Sequence, residues 1–213
     1  MSLQDKLISL TEQMHDIILA QDGVEVMYTE EFGWENYRYS AKNFRLAHIE
    51  RYFVDGLVVA HVTCFPKRDN GSPIFGFDVV GSEKTGKITG AFIDWSPTLA
   101  DGDWHNTTWS LDRKLPVWAK CFSDQFIAIR PNEDEHDKLF EFAIDTFTRY
   151  MMMLNVSESV DQESIEFLDI IKKAQNFYCE HQSQNPRTFA ALSHKIGEDR
   201  AKYFMTEILF PKL

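Results

Sequence analysis

Phe44-Arg45-Leu46-Ala47-His48-Ile49-Glu50-Arg51-Tyr52-Phe53-Val54-Asp55-Gly56-Leu57-Val58-Val59-Ala60-His61-Val62-Thr63-Cys64-Phe65 decides the fold. Two runs rich in β-branched and aromatic residues flank Asp55-Gly56, the dipeptide favoured in type I′ turns. A two-residue turn there places Val54 opposite Leu57, and by the same register Glu50 opposite His61. Directly opposed side chains on one face of an antiparallel pair lie about 4.5–5.5 Å apart at Cβ. A carboxylate is therefore expected beside an imidazole, an arrangement that favours the imidazolium near neutral pH. A surface ion pair on a solvated face fits the same spacing.

Outward from this hairpin the strand texture continues. Val24–Thr29, Asn36–Ser40, Ile74–Val80 and Ile88–Trp95 are further strand-like runs separated by polar or glycine-containing turns. Successive strands without intervening helices predict an antiparallel meander. Before them, Leu3, Leu7, Leu10, Met14 and Ile17 repeat at helical spacing and Gly23 follows, which predicts an amphipathic helix packed on the core. With Lys6 its one Lys or Arg residue, its polar face is not the Lys- and Arg-rich face of a membrane-surface helix. Ser96–Pro116 reads as an irregular connector and Phe126–Arg130 as one more short strand. Three helical stretches follow, about Asp134–Leu154, Gln162–Gln182 and Pro186–Phe210. No repeats and no Gly/Ser linker divide the chain, so residues 1–213 are expected to form one α+β layered domain.

Composition sets the outer limits. The 213 residues carry 22 Lys and Arg against 33 Asp and Glu, a net charge of −11, and 44% are hydrophobic. That apolar fraction is too high for a disordered acidic chain, and the charge argues against a nucleic-acid binder. Cys64, Cys121 and Cys179 are far apart, which fits free thiols in a reducing compartment rather than a cysteine-ligated cluster. No apolar run is long enough to cross a membrane, and Met1–Asp5 is not a secretory signal. A cytoplasmic protein is expected.

Several other residues carry possible chemistry. Asp78 interrupts the apolar run Pro73–Val80, where an acid is unexpected. Facing the core, its neutral form would be favoured by desolvation. Facing solvent, it would sit between Phe77 and Val79 on the opposite side. His48, Glu50 and His61 share one face and together could ligate a transition metal, although a bare His-x-Glu is a weak signal. Gly81–Lys87 is superficially like a phosphate loop but lacks its spacing and reads as a hairpin turn. No GxSxG or cysteine-protease signature is present.

The chain resembles the ferredoxin-dependent bilin reductases, in particular the phycocyanobilin-forming branch. The resemblance is carried by Phe44–Glu50, His61–Pro66, Pro73–Asp78, Ala91–Pro97, Pro116–Trp118, Ile129–Pro131, Gln184–Thr188 and Tyr203–Phe210. These segments occur in order, with a spacing of 17 from His61 to Asp78. The resemblance implies a three-layer α/β/α sandwich around a central antiparallel sheet. Biliverdin IXα would bind between the sheet and the C-terminal helices and be reduced by four electrons through radicals to phycocyanobilin or phycoerythrobilin. Reduced [2Fe–2S] ferredoxin would be the external donor, with no cofactor bound to the protein.

By the same resemblance, Glu50, His61 and Asp78 are the catalytic residues. Asp78 is the acid at the central pyrrole nitrogens and lactam region, His61 is its proton partner, and Glu50 polarises His61 and steers vinyl reduction. Arg130 and Arg187 take the propionates with the Thr89 hydroxyl, and Asn185 matches a pocket asparagine. Arg187 stands where the family commonly has Lys, Thr89 where it has Ser, and Pro186 where it has an acid. Glu50 favours the phycocyanobilin outcome, whereas a compact, phage-type relative makes phycoerythrobilin. A monomer touching neither nucleic acid nor membrane is expected. Two alternatives are a tetrapyrrole carrier without turnover and a metal-dependent oxidoreductase built on His48, Glu50 and His61. Plant-type ferredoxins are acidic, so docking onto an acidic chain requires a basic rim. Its candidates are Lys67, Arg68, Arg113, Lys114, Lys120, Lys172, Lys173, Arg187 and Lys195.

Overall fold

A computed structural model of the protein describes residues 1–99, 104–109, 119–157, 159 and 164–213. Much of the Ser96–Pro116 connector, the Pro116–Trp118 segment, Arg113 and Lys114 lie outside the described residues. The first helix, α1 (Leu3–Leu19), begins where the sequence places it. Ser2 and Asp5 form a reciprocal capping box, and Leu3, Leu7, Leu10, Met14 and Ile18 are buried.

Among the described residues, seven antiparallel strands then follow in chain order across one sheet: β1 (Glu25–Met27), β2 (Glu35–Ser40), β3 (Phe44–Val54), β4 (Leu57–Pro66), β5 (Ile74–Ser82), β6 (Lys87–Ser96) and β7 (Ile127–Ile129). The β3–β4 turn has Asp55 at φ 52° and Gly56 at φ 80°, the left-handed pair a type I′ turn demands. Val54 pairs with Leu57 and Glu50 with His61, as the turn residues require. The next hairpin sets His61 opposite Asp78, and the one after it sets Asp78 opposite Phe92. The three antiparallel pairings thus align Glu50, His61, Asp78 and Phe92 in one row across four strands.

Helices cover both faces. On one face, α1 and α2 (His136–Val156) pack on alternate strand residues such as Ala60, Val62, Phe77 and Val79. Tyr150 of α2 is fully buried and its hydroxyl reaches the carbonyls of Cys64 and Pro73, each at 3.0 Å. On the other face lie α3 (Ile165–Ser183), α4 (Pro186–Ile196), α5 (Glu198–Tyr203) and a π-helical turn at Phe204–Leu209. Their buried side chains, including Tyr178, Leu192 and Phe204, meet Leu46, Phe65 and Ile74 of the sheet. The result is an α/β/α sandwich.

Two expectations change in detail. The helical stretch from Pro186 to Phe210 is not continuous. Gly197, at φ 82°, ends α4 and starts α5, because glycine reaches the left-handed region without a Cβ penalty. The first and last strands are shorter than the runs expected for them, and among the described residues each pairs with one neighbour. The chain end is tied down by Arg45, which lies over the Phe65 ring at 4.6 Å. Arg45 donates to Gln175 Oε1 at 2.8 Å and to the Pro211 carbonyl at 2.9 Å.

Candidate active site

Between the sheet and the C-terminal helices lies a cavity of about 580 Å³. Its floor is the row already described. Period-2 alternation sends Glu50, His61 and Asp78 to this face, while Phe77 and Val79 join the opposite core. Asp78 therefore does not face the core: its side chain is 37% exposed and reaches into the cavity. His61 Nδ1 lies 2.7 Å from Asp78 Oδ1. Thus the imidazole's direct hydrogen bond runs to Asp78 on one side, with Glu50 as its strand partner on the other. His61 Nε2 is buried with no hydrogen-bond partner among the described residues, a demand that a substrate atom or water would satisfy.

Burial and charge set the proton affinities of this row. Burial pushes the Glu50 carboxyl up to about 7, against the opposing pull of His61 and the Trp34 indole, and Asp78 adds to the rise. For His61, burial works downward, but the Asp78 carboxylate and Glu50 outweigh it, and the pKa is raised above the ordinary histidine value. His48 behaves differently. Burial, with His61 and Arg38 nearby, holds it well below that value. Its Nε2 is 3.1 Å from Asn36 Oδ1, which assigns the proton to Nε2. Glu50 and His61 are thus poised to exchange protons near neutrality.

The metal-centred alternative does not fit. Among the described residues no group of three or more His, Cys, Asp or Glu, His48, Glu50 and His61 included, has metal-holding geometry.

The remaining expected site residues also line the cavity. Arg130 directly follows β7, and Arg187 is the second residue of α4; both are exposed. Asn185 caps α4, its Oδ1 accepting from the Arg187 and Thr188 amides at 3.1 and 3.5 Å. Pro186 occupies the first helical position, where its missing N–H costs nothing. The Thr89 hydroxyl donates to the Val80 carbonyl at 3.1 Å, beside a register shift between Val80 and Gly81. Of the basic rim, Arg187 lines the cavity and Lys173 is paired with Asp169 on its own helix.

The sequence reading missed Tyr178 and Asp94. Tyr178 enters from α3, and its hydroxyl stands above Gly76, where a Cβ would lie only 3.0 Å away. The glycine in an otherwise bulky strand was its signal. Asp94 is buried in β6, and burial raises its pKa against hydrogen bonds from Ser123 and Ser96. Its signal was the one that singled out Asp78, an acid within an apolar strand.

Comparison with known proteins points the same way. The family described as ferredoxin-dependent bilin reductase matches residues 8–211. A phycocyanobilin:ferredoxin oxidoreductase of Synechococcus sp. is 29% identical over 190 residues, covering 83% of this chain and 75% of the relative. The solved structure of PcyX superposes with a TM-score of 0.68 at 28% identity, covering 97% of this chain and 99% of PcyX. Phytochromobilin synthase from tomato, solved in complex with biliverdin, shares the fold at a TM-score of 0.76 and 18% identity, covering 94% of this chain and 82% of the synthase.

Proposed function

The chain belongs to the ferredoxin-dependent bilin reductase family, and from that premise we propose that it reduces biliverdin IXα to a phycobilin, drawing electrons from reduced [2Fe–2S] ferredoxin and protons from its own side chains. The observation that carries this reading is the Glu50–His61–Asp78 row on the floor of a cavity whose lining also holds Arg130 and Arg187. Four electrons arriving singly leave radical intermediates, and four protons must follow them. A protein with this task needs acids near its working pH more than it needs a metal or nucleophile.

In this reading Asp78, the exposed end of the row, protonates the bound tetrapyrrole. His61 relays a proton to Asp78 across their hydrogen bond or gives one directly from Nε2. Glu50, held near neutrality by burial, reloads and polarises His61. Arg130 and Arg187 bind the propionates through charge-assisted hydrogen bonds. Glu50 favours phycocyanobilin over phycoerythrobilin as the product, which chromatography against both standards decides.

Replacing Asp78 by Asn tests the proposal while keeping the side chain's shape. The variant is expected to bind biliverdin with nearly unchanged affinity in a visible-spectrum titration. On addition of reduced ferredoxin without oxygen it should accept early electrons and stall before product. Normal turnover by Asp78→Asn removes the residue from the mechanism. Failure of the unaltered protein to perturb the biliverdin spectrum overturns the function itself.

A further inference from the structure

One wall of the cavity is built from stacked aromatic rings, and the segment carrying two of them is hydrogen-bonded to a buried acid. Phe122 and Phe126 lie face to face, centroids 3.9 Å apart and 8° from parallel. Phe126 continues the stack onto Phe92 at 6.1 Å and 12°, and Phe122 meets the edge of Tyr178 at 6.2 Å. All four rings line the cavity. Phe92 is fixed on the sheet beside Asp78, but Phe122 and Phe126 ride on the segment between a short 3-10 turn at Ala119–Cys121 and β7.

One directional tie of this segment to the sheet is Asp94. Both carboxylate oxygens are used: Oδ2 accepts from the Ser123 amide at 3.0 Å and from the Ser96 hydroxyl, and Oδ1 accepts from the Ser123 hydroxyl. The Ser123 oxygen in turn accepts from the Gln125 amide at 3.2 Å. Gln125 anchors the far side, its side-chain and main-chain oxygens meeting the Trp104 amide and His105 Nε2, each at 2.7 Å. Asp94 is 1% exposed and itself lines the cavity. Removing a carboxylate from water is costly, and its hydrogen bonds are correspondingly strong and geometrically demanding. Ring stacking alone is weak and permits sliding.

We propose that Asp94 is a positioning residue that clasps the Ser123 segment to the sheet and so sets the tilt of the Phe122–Phe126 wall against which a flat tetrapyrrole is seated. This rests on the bilin-reductase reading for its ligand, while the clasp itself is a property of the free protein. A conjugated bilin packs by its ring faces, so a tilted wall changes both its fit and the ring edge presented to Asp78. Asp94 thereby acts on regiochemistry without touching the reacting atoms.

The test uses Asp94→Ala, Asp94→Asn, Ser123→Ala and Ser123→Thr in the full chain. Hydrogen exchange of the free protein is expected to show faster exchange across residues 119–126 in Asp94→Ala and Ser123→Ala, with the other strands unchanged. Biliverdin affinity should fall about tenfold in Asp94→Ala, the equivalent of about 1.4 kcal/mol. The absorption band of bound biliverdin and the ratio of phycobilin products should shift with it. Asp94→Asn should fall between, and Ser123→Thr, which keeps the hydroxyl, should restore the native spectrum. The double variant Asp94→Ala/Ser123→Ala should be no worse than Asp94→Ala alone, because the two share one interaction. If Asp94→Ala does not fold, Ser123→Ala carries each comparison. Unchanged exchange at 119–126 overturns the clasp whatever the ligand. Faster exchange with an unaltered biliverdin spectrum and product ratio overturns its role in seating. Failure of the unaltered protein to bind biliverdin defeats the ligand assignment while the exchange result still decides the clasp.

Discussion

Glu50 shows how one residue carries both a stability cost and a chemical use. Its side chain is buried on the cavity floor, and burial lifts its carboxyl from 4.5 to about 7. The folded state therefore holds this proton more tightly than the unfolded chain. Stability from Glu50 is complete below about pH 4.5, declines as pH rises, and is lost once pH passes about 7. His61 has the same sign, because its folded pKa is also raised. Glu50→Gln is expected to be more stable than the native protein by up to about 3 kcal/mol at pH 8, with the difference vanishing near pH 4. Denaturant melts across that range check it, and superimposable pH profiles contradict it. The opposition of Glu50 and His61 was legible from Asp55-Gly56 alone. Which neighbour His61 would bond was not, because that depends on the β4–β5 register, and the turn between those strands has no short signature.

At the scale of elements, the N-terminus of α4 links fold and site. Asn185 closes the cap, Pro186 opens the helix, and Arg187 follows into the cavity lining. Asn185→Ala is expected to lower stability by about 1 kcal/mol. It should also weaken biliverdin binding, because Arg187 loses its fixed starting point. Thermal unfolding and a spectral titration measure the two effects, and a native melting temperature with native affinity would contradict the role. The hairpins and helix faces were readable because their signals are local, with period 2 on strands and period 3.6 on α1. The break at Gly197 was not, since glycine within an amphipathic pattern is tolerated as often as it ends a helix. Asp94 escaped for another reason. Its partner Ser123 is 29 residues away, across the connector, and only the folded sheet brings them together.

For the whole molecule, the charge of −11 constrains the electron donor. An acidic donor would be repelled at a distance, so productive docking needs local cations beyond the pair assigned to the propionates, and Arg68, Lys120, Lys172 and Lys195 are exposed. If such contacts guide docking, raising the salt from low concentration to about 0.15 M slows the ferredoxin-dependent rate. If net repulsion dominates, the same salt accelerates it, so the sign of the salt effect distinguishes the two. The aromatic content also acquires a second use, because the rings that build the core continue into the cavity wall. The most direct measurement is the anaerobic reaction of the whole protein with one equivalent of biliverdin and an excess of reduced ferredoxin, followed by visible spectroscopy with the oxidised ferredoxin counted. The account predicts transient bands that resolve to a phycobilin, with four ferredoxins oxidised per biliverdin. A single static shift of the biliverdin spectrum, with no ferredoxin consumed, would contradict it.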